Sequence, residues 1–314
     1  MIEGARPFDL AAKGVHRAAL ACGNFDGLHL GHRALLGQVL SFARFSQAAP
    51  TVLSFFPHPR SVLGDTPVAP LASPLQKRRL LAELGIEALM EVPFVDDVAR
   101  LSPEDFARTY FAHPELEVTD VCVGRNWAFG RGRSGNAETL RSLPLGFRVH
   151  EADEFCLDGL PVSSSRIRAA LATGDFSLAA RLLGRPWELE GQVVRGAGIA
   201  SAKLDFPTAN LDCCVPMLPI AGVFAVRAIL EPGGDARPGL LNVGSAPTFP
   251  GKVAAPHQAE LHLLDFKADL YGRRLSVRPM AFIREERRFA SAIELHEQIR
   301  LDAAAARQIL ARRD

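Results

Sequence analysis

Short apolar runs alternate with helix-period stretches through the first half of the chain. Residues 18–22 form an unbroken small-apolar run that ends in a turn bearing glycine and aspartate, the mark of a buried strand. Residues 33–45 follow, with Leu35, Val39 and Phe42 on one helical face. Residues 51–56 read as a second strand, closed by Pro57-His58-Pro59. A helix is predicted over 75–84, a strand over 88–94 and another over 118–123, running into Gly124. Between them, Ser102-Pro103-Glu104 marks a helix start with proline just inside the cap. This alternation predicts an α/β domain, a parallel sheet covered by helices on both faces.

The pattern changes near Ser163. Residues 166–183 are helical with a break at Thr173-Gly174-Asp175, and Gly184-Arg185-Pro186 closes them. Short strands with frequent turn residues follow at 188–195, 222–230, 239–243, 259–266 and 275–282. They predict an antiparallel barrel or sandwich. A helix over 291–311 ends the pattern. The boundary is placed near residue 186, giving domains 1–186 and 187–314. With 314 residues, each can bury its own core.

Hydrophobic residues make up 48% and charged residues 23%, the mix of a water-soluble globular protein. A net charge of +1 argues against a nucleic-acid or membrane surface as the partner, since either would favour a basic excess. No apolar stretch approaches the roughly 18–20 residues of a membrane helix. The first residues lack the basic-then-apolar order of a secretory signal. The five cysteines (Cys22, Cys122, Cys156, Cys213 and Cys214) form no C-x-x-C pair, which argues against structural zinc and for reduced thiols in cytoplasm.

The densest chemistry lies in Gly23-Asn24-Phe25-Asp26-Gly27-Leu28-His29-Leu30-Gly31-His32, where a predicted strand gives way to a helix. Free N–H groups at a helix start favour an anion, and the glycines permit close approach of backbone and ligand. His29 and His32 flank Gly31 and can both reach one phosphate. Taken alone, an H-x-G-H is as often a pair of ordinary helix-start residues. Its place between strand and helix favours function.

Two further segments extend the constellation. Residues 123–133 (VGRNWAFGRGR) join glycines, aromatic rings and arginines, suited to stacking on a flat heterocycle and pairing with phosphates. Alone they also read as a basic surface loop. Ser163-Ser164-Ser165-Arg166-Ile167-Arg168 precedes a helix; a serine there can be an N-cap, or Ser165 and Arg168 can clamp a triphosphate. Pro57-His58, after two phenylalanines, is either a rigid turn or the lining of a flat ligand.

In the second half, Thr208 and Asn210 alternate within Phe206-Pro207-Thr208-Ala209-Asn210 and point the same way if the segment is extended. Their oxygens suit Mg²⁺ beside nucleotide phosphates. Glu260, on a predicted strand, could take the proton of an attacking alcohol. Each has a commonplace structural reading as well.

Taken in order, GNFDGLHLGH, FFPHPR, VGRNWAFGRGRSGN, VSSSRIR, GRPWELEGQVV, DFPTANL, NVGSAPTF, ELHLLDF, DLYG and IREERRF resemble the bifunctional riboflavin kinase/FAD synthetase family of bacteria over nearly the whole chain. The resemblance implies a Rossmann-like nucleotidyltransferase domain followed by a flavokinase-type barrel. Their substrates would be ATP, riboflavin and FMN, with Mg²⁺ and with FAD as a product. It assigns Gly23, Asn24, Phe25, Asp26, His29, Gly31 and His32 to the adenylyl-transfer site. Pro57, His58, Asn126, Phe129, Ser164, Ser165 and Arg168 join them. Serine stands at 165 where the family has threonine.

For the kinase the resemblance assigns Thr208 and Asn210 to the metal and Glu260 to the base, with Arg284 and Phe289 bordering the flavin. Two departures bear on it. Residues 201–206 (SAKLDF) replace the family's G-R-x-L-G-F, and Asn242-Val243-Gly244-Ser245-Ala246-Pro247-Thr248-Phe249 lacks its arginine. Asp205 would repel a polyphosphate, although Lys203 offsets some of the lost positive charge. The departures imply a weakened, altered or lost kinase, so an FAD synthetase with a degenerate second domain stands beside the bifunctional reading. No sign of a dedicated protein partner is present.

Overall fold

The computed structural model describes residues 1–64, 68–194, 209–213, 217, 219–230, 234–244, 258–266 and 268–312. It divides into two compact units, one of residues 1–69 and 74–163, the other of 70–73 and 164–314.

The first unit runs β1 (Ile2–Gly4), α1 (Pro7–Ala11), β2 (Arg17–Cys22), α2 (Leu30–Ser46), β3 (Ala49–Phe56), α3 (Pro59–Leu63), α4 (Pro74–Glu83) and β4 (Ala88–Pro93). It continues with α5 (Asp96–Arg100), α6 (Pro103–Phe111), β5 (Glu117–Gly124), α7 (Ala137–Ser142), β6 (Arg148–Ala152) and a small hairpin, β7 (Cys156–Leu157) and β8 (Leu160–Pro161). Six strands pair in parallel in the order β1-β4-β3-β2-β5-β6. The apolar run of β2 explains itself in this sheet. Ala18, Leu20 and Cys22 pack with Phe106, Phe111 and Val121 on one face. Ala19 and Ala21 pack with Leu36, Val39 and Leu81 on the other. A strand covered on both sides has no polar face to show.

β1, α1, β6 and the hairpin had no sequence signal. β6 reads RVHEA because its polar side chains serve a buried charge. Asp120, fully buried on β5, accepts from Arg148 Nε at 2.8 Å and Ser46 Oγ at 2.9 Å, and meets His150 Nε2 at 2.8 Å. Burial pushes its carboxyl up, but hydrogen bonds from Arg148, His150, Ser46 and Thr119 outweigh that and hold it at about 2. The depressed value stabilises the folded state above the unfolded pKa near 4, by about 2 kcal/mol, and this contribution is lost as pH falls through about 2. Asp120→Asn should therefore lower unfolding free energy by a constant amount above pH ~5. The gap to the wild type should close between about pH 4 and 2 in urea unfolding.

The second unit opens with α8 (Ser164–Ala172) and α9 (Phe176–Leu183), split at the predicted Thr173-Gly174-Asp175 break, where Asp175 caps α9. Then come β9 (Leu189–Val194), β10 (Ala209–Cys213), β11 (Gly222–Leu230), β12 (Ala236–Gly244), β13 (Gln258–Leu263), β14 (Arg274–Arg284) and α10 (Ala292–Ala311). The strands close an antiparallel barrel in the order β10-β13-β12-β11-β14-β9. β10 was not foreseen as a strand; it pairs with both β9 and β13. Ala303, Ala306 and Leu310 of α10 pack on Val223, Ala225 and Leu240. The parallel sheet, the barrel and the terminal helix are those the sequence predicts.

Candidate active sites

The chain passes from β2 to β3 and β4 on one side, then returns to β5 on the other. Open parallel sheets bind ligands beyond the carboxyl ends of their strands at such a reversal. The loops leaving β2, β3 and β5 there carry residues 23–29, Pro57-His58 and residues 125–136, three of the segments singled out in the sequence.

His29 is the N-cap of α2, its Nδ1 accepting from the His32 N–H at 3.3 Å. A neutral imidazole that accepts at Nδ1 carries its proton at Nε2. The His29 and His32 rings stack at 3.6 Å between centroids and 16° between planes. A Cβ on Gly31 would press the His29 ring at 3.2 Å, so the glycine is what lets the rings close up. Burial, then His29, then Lys77 hold His32 well below the ordinary histidine range, and it stays neutral. Its Nδ1 is buried with no hydrogen-bond partner among the described residues, and so is Asn24 Oδ1. Buried polar atoms without partners are costly, and two at one strand-to-helix junction point to a ligand that supplies them.

The loop is strained to make this shape. Phe25 and Leu28 are fully buried non-glycines in the left-handed region, at φ 50° and 45°. Such conformations cost about 1 kcal/mol or more each and cluster at ligand sites. The Phe25 ring belongs to the core and meets His32 at 5.2 Å, and Asp26 is buried beside it. Asn24 Nδ2 lies 3.2 Å from Nε2 of His58, which caps α3 through Nδ1; the Phe56–Pro57 peptide is cis.

Beyond β5, Asn126 donates to Glu154 at 2.6 Å. Phe129 is buried, stacked on Trp127 at 4.6 Å and tilted against Phe106. The remainder of the loop is a turn of exposed arginines, Arg131 and Arg133.

Ser164, Ser165 and Arg168 begin α8 in the second unit, with Ser165 and Arg168 three residues apart on one helical face. Also in that unit, Asn210, Glu260 and Asn242 stand side by side across β10, β13 and β12, all half-buried. Burial, then the Glu286 charge, raise the Glu260 carboxyl. A Cβ on Gly244 would overlap the Glu286 carboxylate. The carboxylate and amide oxygens here are donors of the kind a hard divalent cation such as Mg²⁺ takes beside waters and phosphate oxygens. Thr208, Lys203, Asp205 and Ala246 lie outside the described residues. Arg284 is held by Asp302 of α10 at 2.9–3.1 Å and covers the Phe289 ring at 5.6 Å.

Three participants escaped the sequence reading. Lys77 sits on the buried face of α4, donating to Ser54 Oγ at 2.6 Å and Glu91 at 3.3 Å. Its i, i+3, i+4 register with Leu80 and Leu81 was the available signal. Ser54 lies within the apolar run of β3, before Phe55 and Phe56, with no such mark. Asn242 was visible only as part of a quoted motif.

A parallel sheet with its loops gathered at a topological switch point, followed along the chain by a closed antiparallel barrel, defines a two-domain chain whose first unit has the architecture of nucleotide-binding α/β proteins. Residues 12–166 match the FAD synthetase family model and residues 183–310 the riboflavin kinase model. The chain belongs to the family of bifunctional riboflavin kinase/FMN adenylyltransferases. It is 37% identical over 292 residues to the member from Escherichia coli, covering 92% of this chain and 91% of that one. Identity to the Pseudomonas fluorescens enzyme is 38% over 300 residues, covering 94% of each. For the Bacillus subtilis enzyme it is 33% over 306 residues, covering 94% and 93%. A crystal structure from Streptococcus pneumoniae described as a macrolide-efflux protein superposes with a TM-score of 0.80 at 26% identity, over 98% of each chain. Among the described residues no helix is long and apolar enough to cross a membrane.

Proposed function

We propose that the chain makes both flavin cofactors: it phosphorylates riboflavin to FMN with ATP, releasing ADP, and joins FMN to the AMP moiety of ATP, giving FAD and pyrophosphate. Matches to both family models favour this over an FAD synthetase with a degenerate second domain. Residues 1–186 would carry adenylyl transfer and 187–314 the kinase. The observation that carries the first activity is the stacked His29–His32 pair at the start of α2, with the buried His32 Nδ1 left without a hydrogen-bond partner among the described residues.

In adenylyl transfer an FMN phosphate oxygen attacks the α-phosphorus of ATP and the bond to pyrophosphate breaks. No side-chain nucleophile is needed, so the protein contributes alignment and stabilisation of developing negative charge. Neutral imidazoles donating from ring N–H groups, beside the open N–H groups of α2, supply that stabilisation. Gly23, Asn24 and Asp26 shape the loop around the polyphosphate. Pro57, His58, Asn126 and Phe129 border the nucleotide and flavin, and Ser164, Ser165 and Arg168 grip phosphate.

In the kinase, Glu260 takes the proton from the primary hydroxyl of the ribityl chain as that oxygen attacks the γ-phosphorus. Thr208 and Asn210 would hold Mg²⁺, which when bound screens the phosphate charge. Arg284 and Phe289 border the flavin. We place the enzyme in the cytoplasm, where an odd set of thiols stays reduced.

Purified protein incubated with Mg-ATP and either riboflavin or FMN, with products separated chromatographically, tests the reading. Riboflavin should yield FMN and then FAD. FMN converted to FAD while riboflavin stays untouched would sink the two-activity proposal, and folded protein that makes no FAD from FMN would sink adenylyl transfer.

A further inference from the structure

Lys77 is an ammonium group inside the first unit, only 8% exposed, on the buried side of α4 that it shares with Gln76, Leu80 and Leu81. Burying a charge is expensive, and an apolar side chain of similar size would stabilise such a position at least as well. Its contacts lead to the nucleotide loop instead. The Nζ donates to Ser54 Oγ at 2.6 Å, and Ser54 donates onward to the Asn24 carbonyl at 3.2 Å. That carbonyl sits directly before Phe25 and near Leu28, the two residues held in left-handed conformations.

The charges facing Lys77 are few. Glu91 of β4 accepts from it at 3.3 Å but is shared with Arg78 at 2.9 Å, and Arg78 also pairs with Glu3. Asp26 attracts the ammonium from the loop, while Arg78 opposes it. From α2, His32 feels its positive field. An ammonium has three donors, and two are used among the described residues.

We propose that Lys77 is a positioning residue for adenylyl transfer, fixing the Asn24 segment through Ser54 and setting the electrostatic environment of the His29–His32 pair. The assignment rests on the adenylyl-transfer reading of this site. Two consequences separate it from a packing role. Removing the hydroxyl link lets the loop shift, and a displacement of about 1 Å in a phosphate-aligning loop costs on the order of a hundredfold in rate. Removing the charge lets His32 take up a proton more readily, so the acid limb of FAD synthesis moves to higher pH.

The experiment uses the full chain, with riboflavin phosphorylation in the same sample as the control for intact protein. Lys77→Met should lower kcat for FMN to FAD by about tenfold to a hundredfold, move the acid limb upward and leave the kinase rate alone. Lys77→Arg should bring the limb back, and Ser54→Ala should lower kcat with the limb in place. A Lys77→Met protein with wild-type rate and limb overturns the proposal, as does a slower one whose limb stays put. If Lys77→Met loses both activities, Ser54→Ala decides: a slowed FAD synthesis beside a normal kinase supports the role, and a wild-type rate overturns it. Wild-type protein that makes no FAD marks failure of the site reading itself, and the proposal falls with it.

Discussion

Replacing His29 or His32 with alanine should reduce FAD formation from FMN by on the order of 10²–10³-fold while riboflavin phosphorylation proceeds at its normal rate. The magnitude is that of removing one preorganised donor from a water-poor site where charge develops. Both rings are fixed before ligand arrives: His29 by its cap on α2, His32 by stacking on His29 and by its 5.2 Å contact with Phe25. Little reorganisation is then needed in the transition state, so the loss should fall on kcat more than on the KM for ATP. The pH dependence follows from the same geometry. Because burial, His29 and Lys77 keep the His32 value well below the ordinary histidine range, the neutral donor persists across neutral pH. FAD synthesis should therefore hold its rate as pH falls through about 6.5, where an exposed histidine titrates. A rate that halves near that pH in the wild type would contradict a neutral His32, and loss of both activities in a well-folded His29→Ala protein would contradict the division of labour.

How far the sequence revealed these features depended on whether one residue's environment was set locally. The β2 strand, the Ser102 cap and the split of the helices at Thr173-Gly174-Asp175 rest on neighbours within a few positions, and each was legible. β6 was not, because its Arg148 and His150 answer to Asp120, 28 and 30 residues away, and break any apolar alternation. β10 was hidden for a similar reason: its five residues are strand only because β9 and β13 flank them. At the site, the histidines declared themselves through the strand-to-helix setting of GNFDGLHLGH. Lys77 did not, since a lysine on a helix is ordinarily solvated and its burial depends on Ser54 and Glu91, paired on the neighbouring strands β3 and β4. Phe129 shows a limit of another kind. An aromatic in a basic loop suggests stacking on a ligand, yet here the ring is buried on Trp127 and Phe106, so any flavin or adenine meets the loop through what that pair leaves open.

Glu260→Gln should have the opposite effect, lowering FMN formation from riboflavin by about 10²–10⁴-fold while FMN is still converted to FAD. Glutamine keeps the size and hydrogen bonding of the side chain but cannot accept the hydroxyl proton. The barrel register makes the substitution selective. Asn210 and Asn242 stand opposite Glu260 on the adjacent strands, and the isosteric amide should fit the same position in the barrel register. Burial, then the Glu286 charge, raise the Glu260 carboxyl from its ordinary value. A base must be deprotonated to work, so the kinase should lose rate on the acid side earlier than an ordinary glutamate would dictate. Glu286→Gln removes the repelling charge, favours the ionised base and should move that acid limb to lower pH, with the adenylyl-transfer profile unchanged. Kinase profiles of the wild type and Glu286→Gln measured side by side check the sign. A limb that moves upward, or a Glu260→Gln protein that phosphorylates riboflavin at the wild-type rate, would remove Glu260 from the role of base.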